Sequence, residues 1–207
     1  MKNEYLNRLN SVFDDPVLKR LRKESIQEQI PIMTEEGIHF LIQLIQIGKI
    51  NRVLEIGTAI GYSAIAISRH TSATVVTIEK DKRMEIRANK NIEESNLKDK
   101  INVIFADALD IEIQSLDKVD LIFIDAAKAQ YIKFFEKYEP ILLDKGVIIS
   151  DNLLFRGQVE DTSSIISRNR KQLVRKIQKY NTWLLENQNF NTYIYEIGDG
   201  IAVSIKK

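Results

Sequence analysis

Apolar residues follow two alternating patterns over most of the chain. Short segments are almost continuously apolar and rich in β-branched residues, whereas longer segments between them have apolar residues spaced three or four positions apart. Continuous apolar segments are typical of strands buried on both faces, and their alternation with helices predicts βαβ units in a parallel sheet. The predicted strands are 52–56, 74–78, 101–105, 121–124 and 146–150, and the predicted helices between them are 62–69, 81–95 and 131–139.

The two ends of the chain depart from this alternation. Helical patterns over 18–29 and 34–47 precede the first strand, and Thr34 is the expected N-cap of the second helix. After a charged helix over 164–186, two β-rich segments flank the turn Gly198-Asp199-Gly200, which predicts an antiparallel hairpin. We therefore expect one domain over residues 1–207: a doubly wound, Rossmann-like α/β fold with a mostly parallel sheet, a C-terminal antiparallel hairpin (192–197 and 201–205) and a helical N-terminal extension (1–33).

Composition excludes several classes of protein. The 207 residues include 30 Lys and Arg, 29 Asp and Glu, two His and no Cys, and the net charge is +1. Thiol catalysis and thiolate zinc sites are therefore excluded, and a metal would have to rest on oxygen ligands. No apolar segment approaches the roughly 20 residues of a membrane span, and no signal-peptide pattern is present, so we expect a soluble, cytoplasmic protein.

A glycine-rich turn follows the first predicted strand, in the segment Glu55-Ile-Gly57-Thr-Ala-Ile-Gly61. Such a turn lets the backbone approach a ligand at the carboxyl edge of the sheet. The spacing is not that of the dinucleotide fingerprint, and the acidic Glu55 would repel a pyrophosphate, so the pattern favours a nucleoside that carries a positive group. Glu79, at the end of the second strand, suits the ribose hydroxyls, and Asp107 follows the third. Taken singly, each of these acids is more typical of a solvated strand end or a helix cap, whereas three at successive strand ends beside a glycine turn favour a ligand site.

Oxygen ligands also follow the fourth and fifth predicted strands. Asp125 ends the fourth strand and Asp151-Asn152 ends the fifth. Neighbouring strand ends would bring two carboxylates and an amide oxygen together, which suits a hard cation such as Mg²⁺. The alternative interpretation is a turn and a helix cap. Lys128 lies three residues after Asp125, where it would point back over the same place and could act as a general base.

Basic residues are concentrated in two places despite the neutral net charge. The N-terminal cluster comprises Lys19, Arg20, Arg22 and Lys23. The C-terminal cluster lies on the predicted helix, and Arg156 follows the Asp151-Asn152 pair. Local clusters on a neutral protein suit a phosphate backbone, although charged helix faces are commonly only solvated. Trp183 could stack on a base, but its amphipathic helix favours a place in the core. The C-terminal cluster comprises Arg168, Arg170, Lys171, Arg175, Lys176 and Lys179.

Several of these segments, taken in order, resemble one known family. Segments 55–58, 61–63, 124–128, 150–152 and 199–203 are similar to the class I S-adenosylmethionine-dependent, cation-dependent O-methyltransferases, which include catechol and caffeoyl-coenzyme A O-methyltransferases. The resemblance extends over roughly residues 30–207. It implies that Lys128 is the catalytic base and that Asp125, Asp151 and Asn152 bind Mg²⁺ or another hard divalent cation. It further implies an S-adenosylmethionine site comprising Met33, Glu55, Gly57, Ser63, Glu79, Asp107, Ala108 and Asp125.

The segment 151–157 also resembles the bacterial branch of this family that methylates 5-hydroxyuridine at the wobble position of tRNA, giving 5-methoxyuridine. This resemblance implies tRNA as the partner and a homodimer as the assembly. A catechol is the alternative acceptor, because both compounds offer a cation two neighbouring oxygens. A non-catalytic RNA-binding module is a third possibility, which the intact set of Asp125, Lys128, Asp151 and Asn152 opposes. The expected tRNA contacts are Arg20, Arg22, Lys23, Arg156, Arg170, Lys171 and Arg175.

Overall fold

A seven-stranded sheet organises the chain in a computed structural model, which describes residue 9 and residues 14–163 and 165–207. Most of residues 1–13, at the start of the predicted N-terminal extension, and residue 164, the predicted first residue of the C-terminal helix, lie outside the described residues. The strands are β1 (Arg52–Ile56), β2 (Thr74–Glu79), β3 (Ile101–Phe105), β4 (Val119–Ile124), β5 (Leu142–Ser150), β6 (Phe190–Tyr195) and β7 (Ile201–Lys206). The helices are α1 (Pro16–Glu28), α2 (Glu35–Ile47), α3 (Tyr62–His70), α4 (Lys82–Glu94), α5 (Tyr131–Tyr138) and α6 (Arg168–Glu186).

The strand order across the sheet is β3-β2-β1-β4-β5-β7-β6. The first five strands are parallel, and β7 runs antiparallel to both β5 and β6. This arrangement confirms the doubly wound, mostly parallel sheet with a C-terminal antiparallel hairpin. The order reverses between β1 and β4, so the carboxyl ends of these two strands form the crevice in which such sheets bind ligands.

Five strands differ from their predicted ranges. β2 and β7 each end one residue later than expected, and β4 begins two residues earlier, at Val119. β5 begins at Leu142, four residues earlier than expected, because the exposed Asp144 and Lys145 interrupt its apolar pattern. Lys145 has a left-handed backbone (φ 59°), and the pairing of β5 with β4 shifts register there. β6 begins and ends two residues before its predicted bounds, at Phe190 and Tyr195.

Helix ends follow local capping chemistry. The Thr34 side chain accepts a hydrogen bond from the Gly37 N–H at 3.1 Å, which confirms the predicted N-cap of α2. α6 begins at Arg168 rather than at 164, because Ser167 is its N-cap. No helix within the described residues is both long enough and apolar enough to cross a membrane.

Two apolar layers cover the two faces of the sheet. Val53 and Phe123 face the layer formed by α1 to α4, whereas Leu54 and Ile122 face α5 and α6. Trp183 of α6 packs edge-on against a phenylalanine of α5, with ring centroids 5.0 Å apart, and therefore belongs to the core. The alternation of buried side chains along each strand thus holds helices on both faces and leaves the carboxyl edge for a site.

The hairpin turn before β7 packs against the loop that follows β5. The Leu153 N–H donates to the Gly200 carbonyl at 3.0 Å, and the Leu154 N–H donates to the Asp199 carbonyl at 2.8 Å. Gly200 has φ +89°, and a Cβ there would lie 2.5 Å from Leu154 Cγ. Glycine is therefore required at this position for both its backbone conformation and its lack of a side chain.

We predict that Gly200→Ala destabilises the protein by about 3 kcal/mol or more, because the methyl group adds a steric clash to the strain of a left-handed alanine. Gly157→Ala is the matched control: Gly157 has φ +76°, but a Cβ there would meet no described atom within 4 Å beyond its chain neighbours. It should cost about 1 kcal/mol, from backbone strain alone. Chemical denaturation measures both losses, and equal losses would show that the contact with Leu154 is not restrictive.

Candidate functional site

A cavity of about 440 Å³ opens at the carboxyl edge of the sheet, where β1, β2, β3 and β4 end. Its volume lies in the usual range for a small-molecule site. Eight of the residues predicted from the sequence line it: Met33, Gly57, Ser63, Glu79, Asp107, Ala108, Asp125 and Lys128. Sequence reasoning missed other lining residues, among them Ile32, Tyr62, Lys80, Met84 and Phe134. Tyr62 and Lys80 adjoin Gly61 and Glu79 in the chain, and this adjacency was the available signal.

Gly57 brings the ends of β1 and β4 together. Its φ is +102°, and a Cβ at this position would lie only 2.1 Å from the Asp125 carbonyl oxygen. The Asp125 N–H also donates to the Ile56 carbonyl at 3.0 Å. Any side chain at residue 57 would therefore push Asp125 away from the cavity.

Glu79 is held by the backbone at the end of β2. One carboxylate oxygen accepts from the N–H groups of Thr58 (3.2 Å) and Ala59 (2.9 Å), and the other accepts from the Asp81 N–H (2.8 Å). A carboxylate offers about four acceptor positions, so one remains for a ligand hydroxyl. This geometry suits the ribose contact predicted for Glu79.

Glu55 does not line the cavity, although the sequence places it in the cofactor set. Its side chain is fully buried behind the glycine turn, where it accepts hydrogen bonds from the hydroxyls of Ser63 and Thr77. Burial raises the pKa of Glu55 from 4.5 to about 7, and the two hydroxyl donors partly oppose this rise. Glu55 therefore supports Ser63, which does line the cavity, rather than facing the cavity itself.

The predicted metal ligands meet at the ends of β4 and β5. Asp151 is buried; its Oδ1 accepts from the Asn152 N–H at 2.6 Å, and its Oδ2 has no hydrogen-bond partner within the described part of the chain. The Lys128 ammonium donates to Asn152 Oδ1 at 2.6 Å. The structure thus brings Lys128 onto the predicted ligand set, as the spacing of the sequence implied.

Burial is the main cause of the raised pKa values of Asp125 and Asp151. It raises the pKa of Asp125, against the nearby Lys128 charge, and raises the pKa of Asp151 to about 8, with a further contribution from Asp125. In the described ranges no three His, Cys, Asp or Glu residues gather as a metal group, so the candidate set is two carboxylates and one amide. Two repelling acids with one unsatisfied oxygen are the arrangement that a bound cation would relieve.

The two basic clusters have different surroundings. In the N-terminal cluster, Arg20 forms ion pairs with Glu24 and Glu94, and Arg22 pairs with Glu35. These arginines tie α1 to α4 and α2, which leaves Lys23 as the exposed cation among the three predicted tRNA contacts there. Sequence reasoning could not foresee these pairs, because Arg20 and Glu94 are far apart in the chain.

The C-terminal cluster has no ion pair to an acid among the residues that the structure describes. Arg170 packs over the ring of Phe155 at 5.5 Å and donates to Gln158, so it fixes the loop after β5 to α6. Arg156, Lys171 and Arg175 are exposed. This surface therefore carries net positive charge beside the candidate metal ligands.

Comparison with known proteins confirms the fold class. The fold and its edge cavity define a doubly wound α/β protein with a ligand site at the strand ends. The chain belongs to the O-methyltransferase family, whose sequence profile matches residues 8–207. The catechol O-methyltransferase of Niastella koreensis is 28% identical in an alignment 218 positions long, which covers 99% of this chain and 96% of that protein.

Two solved structures are also similar. A Staphylococcus aureus protein described as a candidate caffeoyl-CoA O-methyltransferase is 36% identical, with a TM-score of 0.93 over 99% of this chain and 98% of that one. A Bacillus cereus O-methyltransferase in complex with SAH is 26% identical, with a TM-score of 0.82 over 99% and 96% of the respective chains.

We predict that Glu55→Gln changes how stability depends on pH. Because the folded state holds the Glu55 proton up to about pH 7, wild-type stability should fall as pH rises from 4.5 to 7 and then level off. The variant has no carboxyl group at this position and lacks this loss. The difference between its free energy of unfolding and that of the wild type should therefore rise by about 2 to 3 kcal/mol from about pH 5 to about pH 8. Denaturant titrations across this range measure the gain.

Glu112→Gln provides the control, because it makes the same chemical change at an exposed side chain. Parallel curves for wild type and Glu55→Gln would show that folding does not raise the pKa of Glu55.

Proposed function

We propose that the protein transfers a methyl group from S-adenosylmethionine to a hydroxyl oxygen that has a second oxygen beside it, with the help of a hard divalent cation. The observation that carries this proposal is the unpartnered Oδ2 of buried Asp151. It lies in a set with Asp125, Asn152 and Lys128, two of which line the cavity. Methyl donor, cation and proton acceptor would then share one edge of the sheet.

The cavity has the features that S-adenosylmethionine requires. Glu79 has an acceptor position for a ribose hydroxyl, and the Gly57 turn and Ser63 lie where a methionine moiety would approach the backbone. Asp107 and Ala108 line the part of the cavity next to β3, which suits the adenine. The complex of the Bacillus cereus relative with SAH supports the same class of cofactor.

The oxygens of Asp125, Asp151 and Asn152 would hold Mg²⁺ or a similar cation, which such all-oxygen sets prefer. When bound, the cation supplies Lewis-acid activation of the acceptor hydroxyl. Asp125 also lines the cavity proposed for the methyl donor (the donor cavity), so it would hold the cation on the side that faces the donor. The Lys128 amine is placed to take the hydroxyl proton, because its Nζ already lies at hydrogen-bond distance from Asn152.

For the acceptor, we propose the 5-hydroxyl of 5-hydroxyuridine at the wobble position of tRNA, with 5-methoxyuridine as the product. The 5-hydroxyl and the adjacent O4 supply the two neighbouring oxygens. The exposed, acid-free C-terminal cluster beside the site supports a nucleic-acid acceptor, since phosphates favour such surfaces. Arg156, Lys171 and Arg175 are the contacts whose exposure fits this role best.

A catechol is the second candidate acceptor. Its vicinal hydroxyls offer the same pair of oxygens to a cation. The similarity to the Niastella koreensis catechol O-methyltransferase, which extends over nearly the whole of both chains, favours this candidate. The chemistry at Asp125, Asp151 and Lys128 is the same for both acceptors, so the surface around the site must distinguish them.

We predict that Asp151→Asn lowers methyl transfer by at least about 100-fold, because it removes a charged ligand of the cation. Binding of S-adenosylmethionine, measured by calorimetry, should stay within about threefold of wild type, because Asp151 does not line the donor cavity. The gain in thermal stability that Mg²⁺ gives the wild type should disappear. The exposed Asp117 is the control, and Asp117→Asn should change none of these quantities. An equal loss of cofactor binding and activity would mean that Asp151 serves the cofactor.

We predict that neutralising Arg170, Lys171 and Arg175 together weakens binding of tRNA that lacks the methoxy group. Each lost phosphate contact should reduce the slope of log K against log salt by about 0.7 to 0.9. Transfer of labelled methyl to a catechol should not change. The control replaces Lys49, Lys118 and Lys145 with Gln, which removes the same charge elsewhere on the surface.

An unchanged slope of log K against log salt would indicate that the basic face of α6 is only solvated and does not contact phosphates. Labelling of the catechol by the wild type, with no labelling of the tRNA, would reject the tRNA proposal and favour the catechol.

A further inference from the structure

A second, smaller pocket adjoins the candidate active site at Lys128. Its volume is about 280 Å³, and it lies between the turn over residues 128–130, the first turn of α5 and the middle of α6. Lys128 lines both this pocket and the donor cavity, so the proposed proton acceptor forms a wall that the two share. A group bound in the smaller pocket would therefore lie next to the reacting hydroxyl.

The pocket is lined by four lysines, namely Lys128, Lys133, Lys176 and Lys179. No Asp or Glu occurs among its lining residues within the described part of the chain. Lys133, Lys176 and Lys179 are exposed, and none of them has an ion pair with a described acid. The three exposed ammonium groups around one concavity repel each other, and an anion between them would remove this repulsion.

The floor of the pocket is rigid and joined to the proposed metal ligands. The buried rings of Tyr131 and Tyr180 pack edge to face, with centroids 5.2 Å apart. The Tyr131 hydroxyl donates to the Asp151 carbonyl at 3.1 Å, and the Tyr180 hydroxyl is hydrogen-bonded to Ser150 at 2.7 Å. The backbones of α5 and α6, which carry the lysines, are thereby held near the end of β5.

We propose that the ammonium groups of Lys133, Lys176 and Lys179 in this lysine pocket bind a phosphate group of the methyl acceptor, while Lys128 on the shared wall remains the proton acceptor. Several ammonium groups around a tetrahedral oxyanion are a common mode of phosphate recognition. The phosphate comes either from the backbone of an RNA acceptor or from a small phosphorylated acceptor. This inference rests on the proposed methyl transfer only in treating the bound phosphate as part of the acceptor.

The test compares 5-hydroxyuridine with 5-hydroxyuridine 5′-monophosphate, which differ only in the phosphate. Wild-type protein should have a KM for the monophosphate at least about tenfold below that for the nucleoside. In a Lys133→Gln, Lys176→Gln, Lys179→Gln variant the two values should become equal, while methylation of a catechol stays unchanged. The control variant has Lys49, Lys118 and Lys145 replaced by Gln, so its change of net charge is the same. It should keep the tenfold difference in KM, because these three lysines do not line the pocket.

A binding measurement separates failure of the pocket from failure of the proposed function. Calorimetric titration with the monophosphate should show an affinity that the pocket variant loses about tenfold and the control variant keeps. If the wild type methylates no acceptor but this difference persists, the proposed function fails and the pocket stands. If methylation proceeds with equal KM values for nucleoside and monophosphate, the phosphate pocket is overturned.

A stem-loop RNA that carries 5-hydroxyuridine identifies the source of the phosphate. Loss of affinity for both the stem-loop and the monophosphate in the pocket variant would identify a backbone phosphate. Loss for the monophosphate alone would identify a small phosphorylated acceptor. Unchanged affinity for both would overturn the proposal.

Discussion

Burial of three carboxyl groups along one sheet edge is the constraint on which the rest of the site depends. Glu55, Asp125 and Asp151 follow or end neighbouring strands, and burial raises the pKa of each. Hydroxyl donors partly stabilise Glu55, and the Lys128 charge lies near Asp125. Asp151 retains an oxygen without a partner among the described residues. The fold therefore leaves this edge with buried carboxyl groups whose protonated forms are favoured by burial and which its own side chains only partly compensate. A cation or a positively charged cofactor at this edge would favour the ionised forms instead.

Local patterns in the sequence were sufficient to predict most of the strands and helices. β1 and β3 have their predicted bounds because each is a compact, largely apolar segment between polar turns. β5 was predicted too short because its first half carries the exposed Asp144 and Lys145, and pairing with β4 compensates for their poor strand pattern. The start of α6 depended on the Ser167 cap, a short-range signal that competed with other polar residues nearby.

The candidate site was partly predictable for a geometric reason. Parallel strands end at one edge, so acids that follow successive strands must lie together, and Glu79, Asp125 and Asp151 do. The direction of each side chain depends on partners far away in the chain. Glu55 faces Thr77 because β1 and β2 pair in register at these two residues, and no pattern near residue 55 reveals that. The same holds for Arg20, whose partner Glu94 lies on α4.

The position of β7 has a consequence for how the protein is made. β7 follows all the other strands in the chain, yet it lies between β5 and β6, and Ala202 pairs with Ser150 directly before Asp151. During synthesis, β5 therefore has an open edge beside the aspartate pair until the ribosome has released β7. The loop after β5 likewise lacks its backbone hydrogen bonds to Asp199 and Gly200 until the hairpin has formed. The surroundings of Asp151 are thus completed by the last part of the chain to be translated, whereas the strands that line the cavity are all made earlier.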